Sequence, residues 1–136
     1  MFQVVVALEQ TKNPRRALGE FGERLARDHL LAKGYRILER NYRIREGEID
    51  IIAEKDGVVA FVEVRTRKGA RMGTAAESIT RAKAERLVLL ADAYIAERED
   101  FAAVPRIDVI AIDFTSAGRL ASLRHIENAV SADWIE

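Results

Sequence analysis

The sequence contains no cysteine, only two prolines and a single tryptophan among 136 residues. Without cysteine, disulfides, thiolate zinc sites and thiol nucleophiles are excluded, and a reducing compartment is permitted. No apolar run approaches the ~20 residues that a membrane-spanning helix needs, so we expect no membrane partner. The apolar start of the chain lacks a basic segment and a cleavage site, so we expect no signal peptide and a cytoplasmic protein.

Charge is balanced overall but unevenly distributed. The 22 basic and 22 acidic residues give a formal net charge of zero. The segment from Arg65 to Arg86 nevertheless holds seven basic and two acidic residues, which leaves 15 basic and 20 acidic residues elsewhere. Such a segment is either a solvated surface or a patch that binds nucleic-acid phosphates. Its place beside the carboxylates described below favours phosphate binding.

The length suits one domain, and Pro14 marks its start. We therefore predict an appendage over residues 1–13 and a single domain over 14–136. Apolar residues spaced from Leu18 to Ala32 predict a helix over about 15–33.

The rest of the chain predicts five strands and a second helix. That helix ends near Glu97, and its N-cap is Thr74 with Glu77 in a capping box, or else Ser78 or Thr80. The order α-β-β-β-α-β-β predicts an α/β domain with a mixed central sheet flanked by helices. Alternating apolar residues and turn signals place the strands at residues 35–42, 48–53, 58–65, 106–114 and 120–126.

A hairpin in the middle of the chain carries the candidate chemistry. Asp56-Gly57 between two apolar segments predicts a two-residue turn. With that turn length, Asp50 lies opposite Glu63, and Glu48 lies opposite Arg65. Strand alternation places these four side chains on one face. The other face is apolar and comprises Ile49, Ile51, Ala53, Ala60, Val62 and Val64.

Two carboxylates directly opposite each other repel and require compensation. A divalent cation provides it, and hard oxygen ligands favour Mg²⁺ or Mn²⁺. Such an ion held by Asp50 and Glu63 can bind a phosphate oxygen and orient water. The alternative is a solvent-facing sheet surface with a Glu48–Arg65 ion pair. His29 and His125 are isolated in sequence, and we interpret them as structural or exposed residues, not ligands.

The hairpin motifs resemble those of a known family. Gly47-Glu48-Ile49-Asp50, followed by Phe61-Val62-Glu63-Val64-Arg65-Thr66-Arg67, resembles the signature of the YraN-like proteins. That family is related to Holliday-junction resolvases and to the restriction-endonuclease-like PD-(D/E)xK superfamily. The resemblance covers about residues 15–130. It implies a restriction-endonuclease-like fold and a metal-dependent endonuclease that hydrolyses phosphodiesters in branched or structured DNA. A homodimer is implied by analogy.

The resemblance also implies roles for single residues. Asp50, Glu63 and the Val64 carbonyl would bind the metal, Arg65 would complete the motif, and Glu23 on the first helix would be a further acidic residue. Glu20 is the rival of Glu23, which can also be an ordinary surface residue. Glu48 is auxiliary. The expected nucleic-acid contacts are Arg67, Lys68, Arg81 and Lys83.

Arg65 departs from the superfamily pattern, which usually has lysine at this position. Arginine keeps the positive charge but cannot act as a base. The alternative function is therefore a catalytically weak or inactive nucleic-acid-binding protein on the same fold. A third hypothesis is an assembly factor without a nucleic-acid partner.

Overall fold

The computed structural model describes residues 13–69 and 78–130. The predicted order of elements is confirmed, whereas the proposed appendage and the Thr74–Glu77 capping box lie outside the described residues, except for Asn13. Within the described ranges, no helix is both long and apolar enough to cross a bilayer. The elements are α1 (Pro14–Ala32), β1 (Arg36–Ile44), β2 (Gly47–Lys55), β3 (Val58–Lys68), α2 (Arg81–Ala96), β4 (Val104–Phe114) and β5 (Leu120–Ile126).

The five strands form one mixed sheet in the order β1-β2-β3-β4-β5. All neighbours are antiparallel except β3 and β4, which are parallel. A parallel pair needs a crossover, and α2 lies within that connection. Helix α2 begins after Thr80, whose side chain accepts a hydrogen bond from the Lys83 amide at 3.2 Å. The architecture is an α/β domain consistent with a restriction-endonuclease-like fold.

Each helix covers one face of the sheet. Leu18 and Leu30 of α1 belong to a buried cluster with Val62 of β3. Leu90 of α2 belongs to a second cluster with Phe61, the neighbouring residue of the same strand. Alternation along β3 thus sends successive side chains to opposite helices, and the central strand is buried on both sides.

Helix α1 approaches the sheet closely at a glycine. Asn13 caps the helix by accepting a hydrogen bond from the Arg16 amide, and Pro14 occupies the first turn, where its missing N–H costs nothing. A Cβ atom added to Gly22 would lie 2.3 Å from the Thr66 methyl group of β3. Glycine is therefore required for this contact, which also brings the next residue, Glu23, toward the sheet.

The predicted hairpin register is confirmed. The ladder from Lys55↔Val58 to Ile51↔Val62 is the one that a two-residue turn at Asp56-Gly57 dictates. Both turn residues have positive φ, at +50° and +78°, as a tight hairpin turn requires.

The predicted alternation of β2 is wrong at Ile49. Ile51 packs on the α1 side, but Ile49 packs on the α2 side with Ile52. Residues two positions apart should share a face, so regular alternation is interrupted at Asp50, between them. The interruption lies at the end of the paired ladder, where β2 and β3 no longer form regular pairs.

The two histidines, which we interpreted as structural or exposed, are isolated in sequence but lie close together in the fold. Their rings meet edge to face with centroids 5.4 Å apart. His125 Nε2 lies 2.8 Å from the buried carboxylate of Asp108, which also accepts two hydrogen bonds from Arg106. Burial alone would raise the pKa of Asp108, but the hydrogen bonds from His125 and Arg106 outweigh it and lower that pKa. This network ties α1, β4 and β5 together on the α1 side.

Candidate functional site

Asp50 lies where the β2–β3 ladder ends. Its Oδ2 accepts a hydrogen bond of 2.8 Å from the Val64 amide. A side-chain oxygen thus takes the place that a backbone carbonyl of β2 would occupy in a continuing ladder. The interrupted alternation of β2 therefore directs the Asp50 carboxylate toward β3.

Glu63 is the second carboxylate and is only 9% exposed. Two cations approach its Oε2: Arg65 Nη1 at 3.6 Å and Lys83 Nζ at 3.7 Å. Lys83 lies in the first turn of α2, so the crossover helix brings a basic side chain to the end of the hairpin. The structure thereby brings together three residues that the sequence placed in the candidate site.

The carboxylates perturb one another's pKa values. Burial and then the negative charge of Glu63 raise the pKa of Asp50, the hydrogen bond from the Val64 amide lowers it, and the net value is about 8. The pKa of Glu23 is also raised, first by burial and then by Glu48. These side chains form one acidic cluster, and the mutual repulsion of its carboxylates is only partly offset by the cations at Glu63.

The ambiguity between the two α1 glutamates is resolved by their surroundings. Glu23 is partly buried and senses the charges of Glu48 and Glu63. Glu20 is exposed and forms an ion pair with Arg16 at 3.1 Å, one turn away on the same helix. Glu23 is thus the α1 carboxylate that belongs to the cluster.

The predicted Glu48–Arg65 ion pair of the surface alternative is absent from the described residues. Glu48 instead pairs with Arg43, its neighbour across the β1–β2 ladder. Arg65 donates a hydrogen bond from Nε to Ser78 Oγ at 2.9 Å and also approaches Glu63. The ladder has ended before these residues, so they do not meet as a regular pair.

The remaining basic candidates are divided between the site and the surface. Arg81 is exposed and pairs with Glu85 at 3.4 Å along α2. Arg67 and Lys68 end β3 beside β4, and Lys68 is exposed. Of the four predicted nucleic-acid contacts, Lys83 alone is seen here to contact an acidic residue of the cluster.

A small pocket of about 200 Å³ opens at this end of the hairpin. Its wall includes Glu48, Glu63, Lys83 and Arg86. Arg86 and Ser78 were not among the predicted site residues. Arg86 could have been found from its position three residues after Lys83, on the same helix face. No sequence signal points to Ser78, which meets Arg65 only through the tertiary structure.

The acidic cluster is chemically suited to a divalent cation. In residues 13–69 and 78–130, no three acidic or histidine side chains are arranged as a ready metal cage. Two adjacent carboxylates, one with its pKa raised to about 8, are nevertheless the charge pattern that a bound cation would relieve. Asp50 and Glu63 are the side chains that would hold it, with the Val64 carbonyl as the expected third ligand.

Comparison with known proteins identifies relatives over most of the chain. The model of "Uncharacterised protein family UPF0102" matches residues 22–112. A UPF0102 protein of Roseiflexus castenholzii is 48% identical over 117 residues, covering 85% of this chain and 94% of the relative. A UPF0102 protein of Symbiobacterium thermophilum is 47% identical and covers 86% and 98%. One of Pelotomaculum thermopropionicum is 46% identical and covers 85% and 96%.

Proposed function

The chain belongs to the UPF0102 family, the YraN-like proteins, and from its site geometry we propose that it is a metal-dependent endonuclease that hydrolyses phosphodiesters in DNA. The observation that carries the proposal is the pair of Asp50 and Glu63, held at the end of a hairpin with two cations within 4 Å of Glu63. Carboxylates supply metal ligands, and the cations supply contacts to phosphate. The resemblance to junction resolvases favours branched or structured DNA as the substrate.

The residues divide into distinct roles. Asp50 and Glu63 would hold Mg²⁺ or Mn²⁺, which supplies Lewis-acid activation of water and of the phosphate. Arg65, oriented by Ser78, would face the negative charge that develops on the phosphate. It cannot act as a base, because a guanidinium does not deprotonate. Glu23 adds a further carboxylate from the α1 side.

Cleavage assays test this proposal. Branched, duplex and single-stranded DNA are incubated with the protein and Mg²⁺, Mn²⁺ or chelator. We expect metal-dependent cleavage that Asp50→Asn abolishes. Asp56→Asn is the matched control, because Asp56 is an exposed hairpin-turn residue at the opposite end of β2 and asparagine tolerates its positive φ. Absence of cleavage on every substrate, or equal cleavage by Asp50→Asn, would refute the proposal.

The second candidate is a nucleic-acid-binding protein without catalysis, and Arg65 favours it. This guanidinium stands where the superfamily usually has lysine, and it is engaged by Glu63 and Ser78. This candidate predicts salt-sensitive DNA binding that survives Asp50→Ala and weakens in Arg81→Ala/Lys83→Ala, without cleavage in any metal. Metal-dependent cleavage lost in Asp50→Ala would exclude it.

Location and assembly are part of the same proposal. Absence of cysteine is compatible with the reducing cytoplasm, where DNA is accessible. A homodimer would match the two-fold symmetry of a junction. Light scattering coupled to size-exclusion chromatography, with and without junction DNA, measures this directly. A monomer in both conditions would rule out the dimer.

A further inference from the structure

Of the two basic residues in the pocket wall, Arg86 has no acidic partner among the residues that the structure describes. The pocket wall contains two cations, Lys83 and Arg86. Lys83 approaches Glu63 at 3.7 Å. Arg86 is exposed and forms no ion pair or side-chain hydrogen bond with residues 13–69 or 78–130. Its guanidinium therefore has donors available for a ligand.

Gly47 makes room for the Arg86 side chain. A Cβ atom at Gly47 would lie 3.1 Å from Arg86 Cδ and 3.4 Å from a methyl carbon of Leu90. The first of these distances is tighter than ordinary van der Waals contact. Gly47 also has φ of +152°, which side-chain-bearing residues rarely adopt. The start of β2 is thus shaped so that the arginine stem can lie against it, beside Glu48.

The pocket suits a phosphate better than a nucleobase. Its volume of about 200 Å³ is below the roughly 300–1,000 Å³ typical of small-molecule pockets. Proteins that hold unpaired bases stack them on aromatic side chains. The described wall has none and consists of Gly47, Glu48, Glu63, Lys83, Arg86, Leu87 and Leu90.

We infer that Arg86 binds a backbone phosphate of the nucleic acid at this pocket, so that the protein recognises DNA there without reading its sequence. The inference rests on the proposed function, because it presumes a nucleic-acid ligand. Phosphate contacts fix the position of a protein on DNA but carry no direct sequence information. Lys83 balances Glu63, and Arg86 provides the additional charge that the acidic cluster needs to accept an anionic backbone.

Binding assays with Arg86→Gln test the inference. Two duplexes of equal length and unrelated sequence are titrated in Ca²⁺, a cation with looser coordination than Mg²⁺. We expect about tenfold weaker binding to both duplexes and a salt slope reduced by about one. Arg86→Lys should restore most of the salt slope, since it retains the charge.

Arg36→Gln is the matched control. Arg36 is exposed and pairs with Glu54, seven residues along β2 from Gly47, roughly 23 Å at ~3.3 Å per residue. This variant should bind like the wild type. If it weakens binding as much as Arg86→Gln, the effect is general charge loss, and the inference is overturned.

The remaining outcomes separate the inference from the proposed function. Wild-type protein that binds or cleaves DNA, together with unchanged binding by Arg86→Gln, overturns the role of Arg86 and leaves the proposed function standing. Loss of binding to one duplex only indicates a base contact and also overturns it. If the wild type neither binds nor cleaves any DNA, the proposed function and this inference fail together.

Discussion

Asp50→Asn should stabilise the metal-free protein at neutral to alkaline pH, although it removes a residue of the candidate site. The carboxylate of Asp50 is partly buried beside Glu63, and its pKa rises to about 8. Asparagine keeps an oxygen that can accept the 2.8 Å hydrogen bond from the Val64 amide. Its amide group can donate to Glu63 at any pH, whereas the Asp50 carboxyl can do so only while it is protonated.

The sign of the pH dependence follows from linkage. In the unfolded chain Asp50 loses its proton near pH 4, whereas in the folded protein it retains the proton until about pH 8. Between these values the folded state binds more protons, so this group lowers the free energy of unfolding as the pH rises. The loss is complete above the folded-state pKa and absent below pH 4.

The magnitude is set by the same linkage. If the folded state binds one proton more than the unfolded state over three pH units, the free energy of unfolding changes by about 4 kcal/mol. This value is the upper limit for the change between pH 5 and pH 8. The pKa of Glu23 is also raised, so part of the extra proton binding by the folded cluster belongs to Glu23, and we expect a smaller effect from Asp50 alone. The free energy of unfolding of Asp50→Asn, relative to that of the wild type, should therefore rise by about 1–3 kcal/mol between pH 5 and pH 8.

Urea denaturation in the presence of a chelator measures this difference at both pH values. Asp56→Asn is the control, because the same substitution at an exposed turn should give no pH-dependent gain. A second arm adds Mn²⁺, which should raise the melting temperature of the wild type and not that of Asp50→Asn. At a Mn²⁺ concentration of 100 times its Kd, binding would raise the free energy of unfolding of the wild type by about 2.7 kcal/mol. Equal destabilisation of Asp50→Asn at both pH values would refute the reasoning.

Three further predictions concern the framework around the site. Gly22→Ala should destabilise the protein by about 1–3 kcal/mol because its methyl group would meet Thr66, and a second change, Thr66→Ser, should recover much of that loss in urea denaturation. Asp108→Ala should cost about 3–5 kcal/mol in the same assay by leaving buried His125 and its other partners uncompensated; a loss under 1 kcal/mol would contradict this. Burial lowers the pKa of His29, so its folded form resists protonation and stability should fall as the pH drops below about 6.5; His29→Gln should flatten that part of the profile, and an unchanged profile would count against it.

The sequence predicted those features that depend on local geometry. The Asp56-Gly57 turn determined the register of the hairpin. A two-residue loop pairs Lys55 with Val58, and this first pair fixes every later pair of the ladder. Strand alternation then placed Phe61 and Val62 on opposite faces. These rules need only the turn type and a strand period of two.

The features that it missed depend on where regular structure ends. Alternation from Ile51 placed Ile49 on the wrong side, because the strand becomes irregular at Asp50. The same irregularity removed the expected partnership of Glu48 and Arg65, which instead pair with Arg43 and Glu63. A period-two pattern carries no information about the residue at which a ladder stops.

The end of the ladder is also the part of the fold where chemistry is feasible. In a continuing hairpin the Val64 amide would bond to a backbone carbonyl, and Asp50 would point away from the strand plane. Because the pairing stops, the Asp50 carboxylate takes that amide and lies beside Glu63, while α2 brings Lys83 to the same point. Regular pairing of β2 and β3 thus ends where negative charge is concentrated. The repulsion between these carboxylates lowers the stability of the fold unless a cation is bound. Under the proposed function, the bound cation would offset this cost.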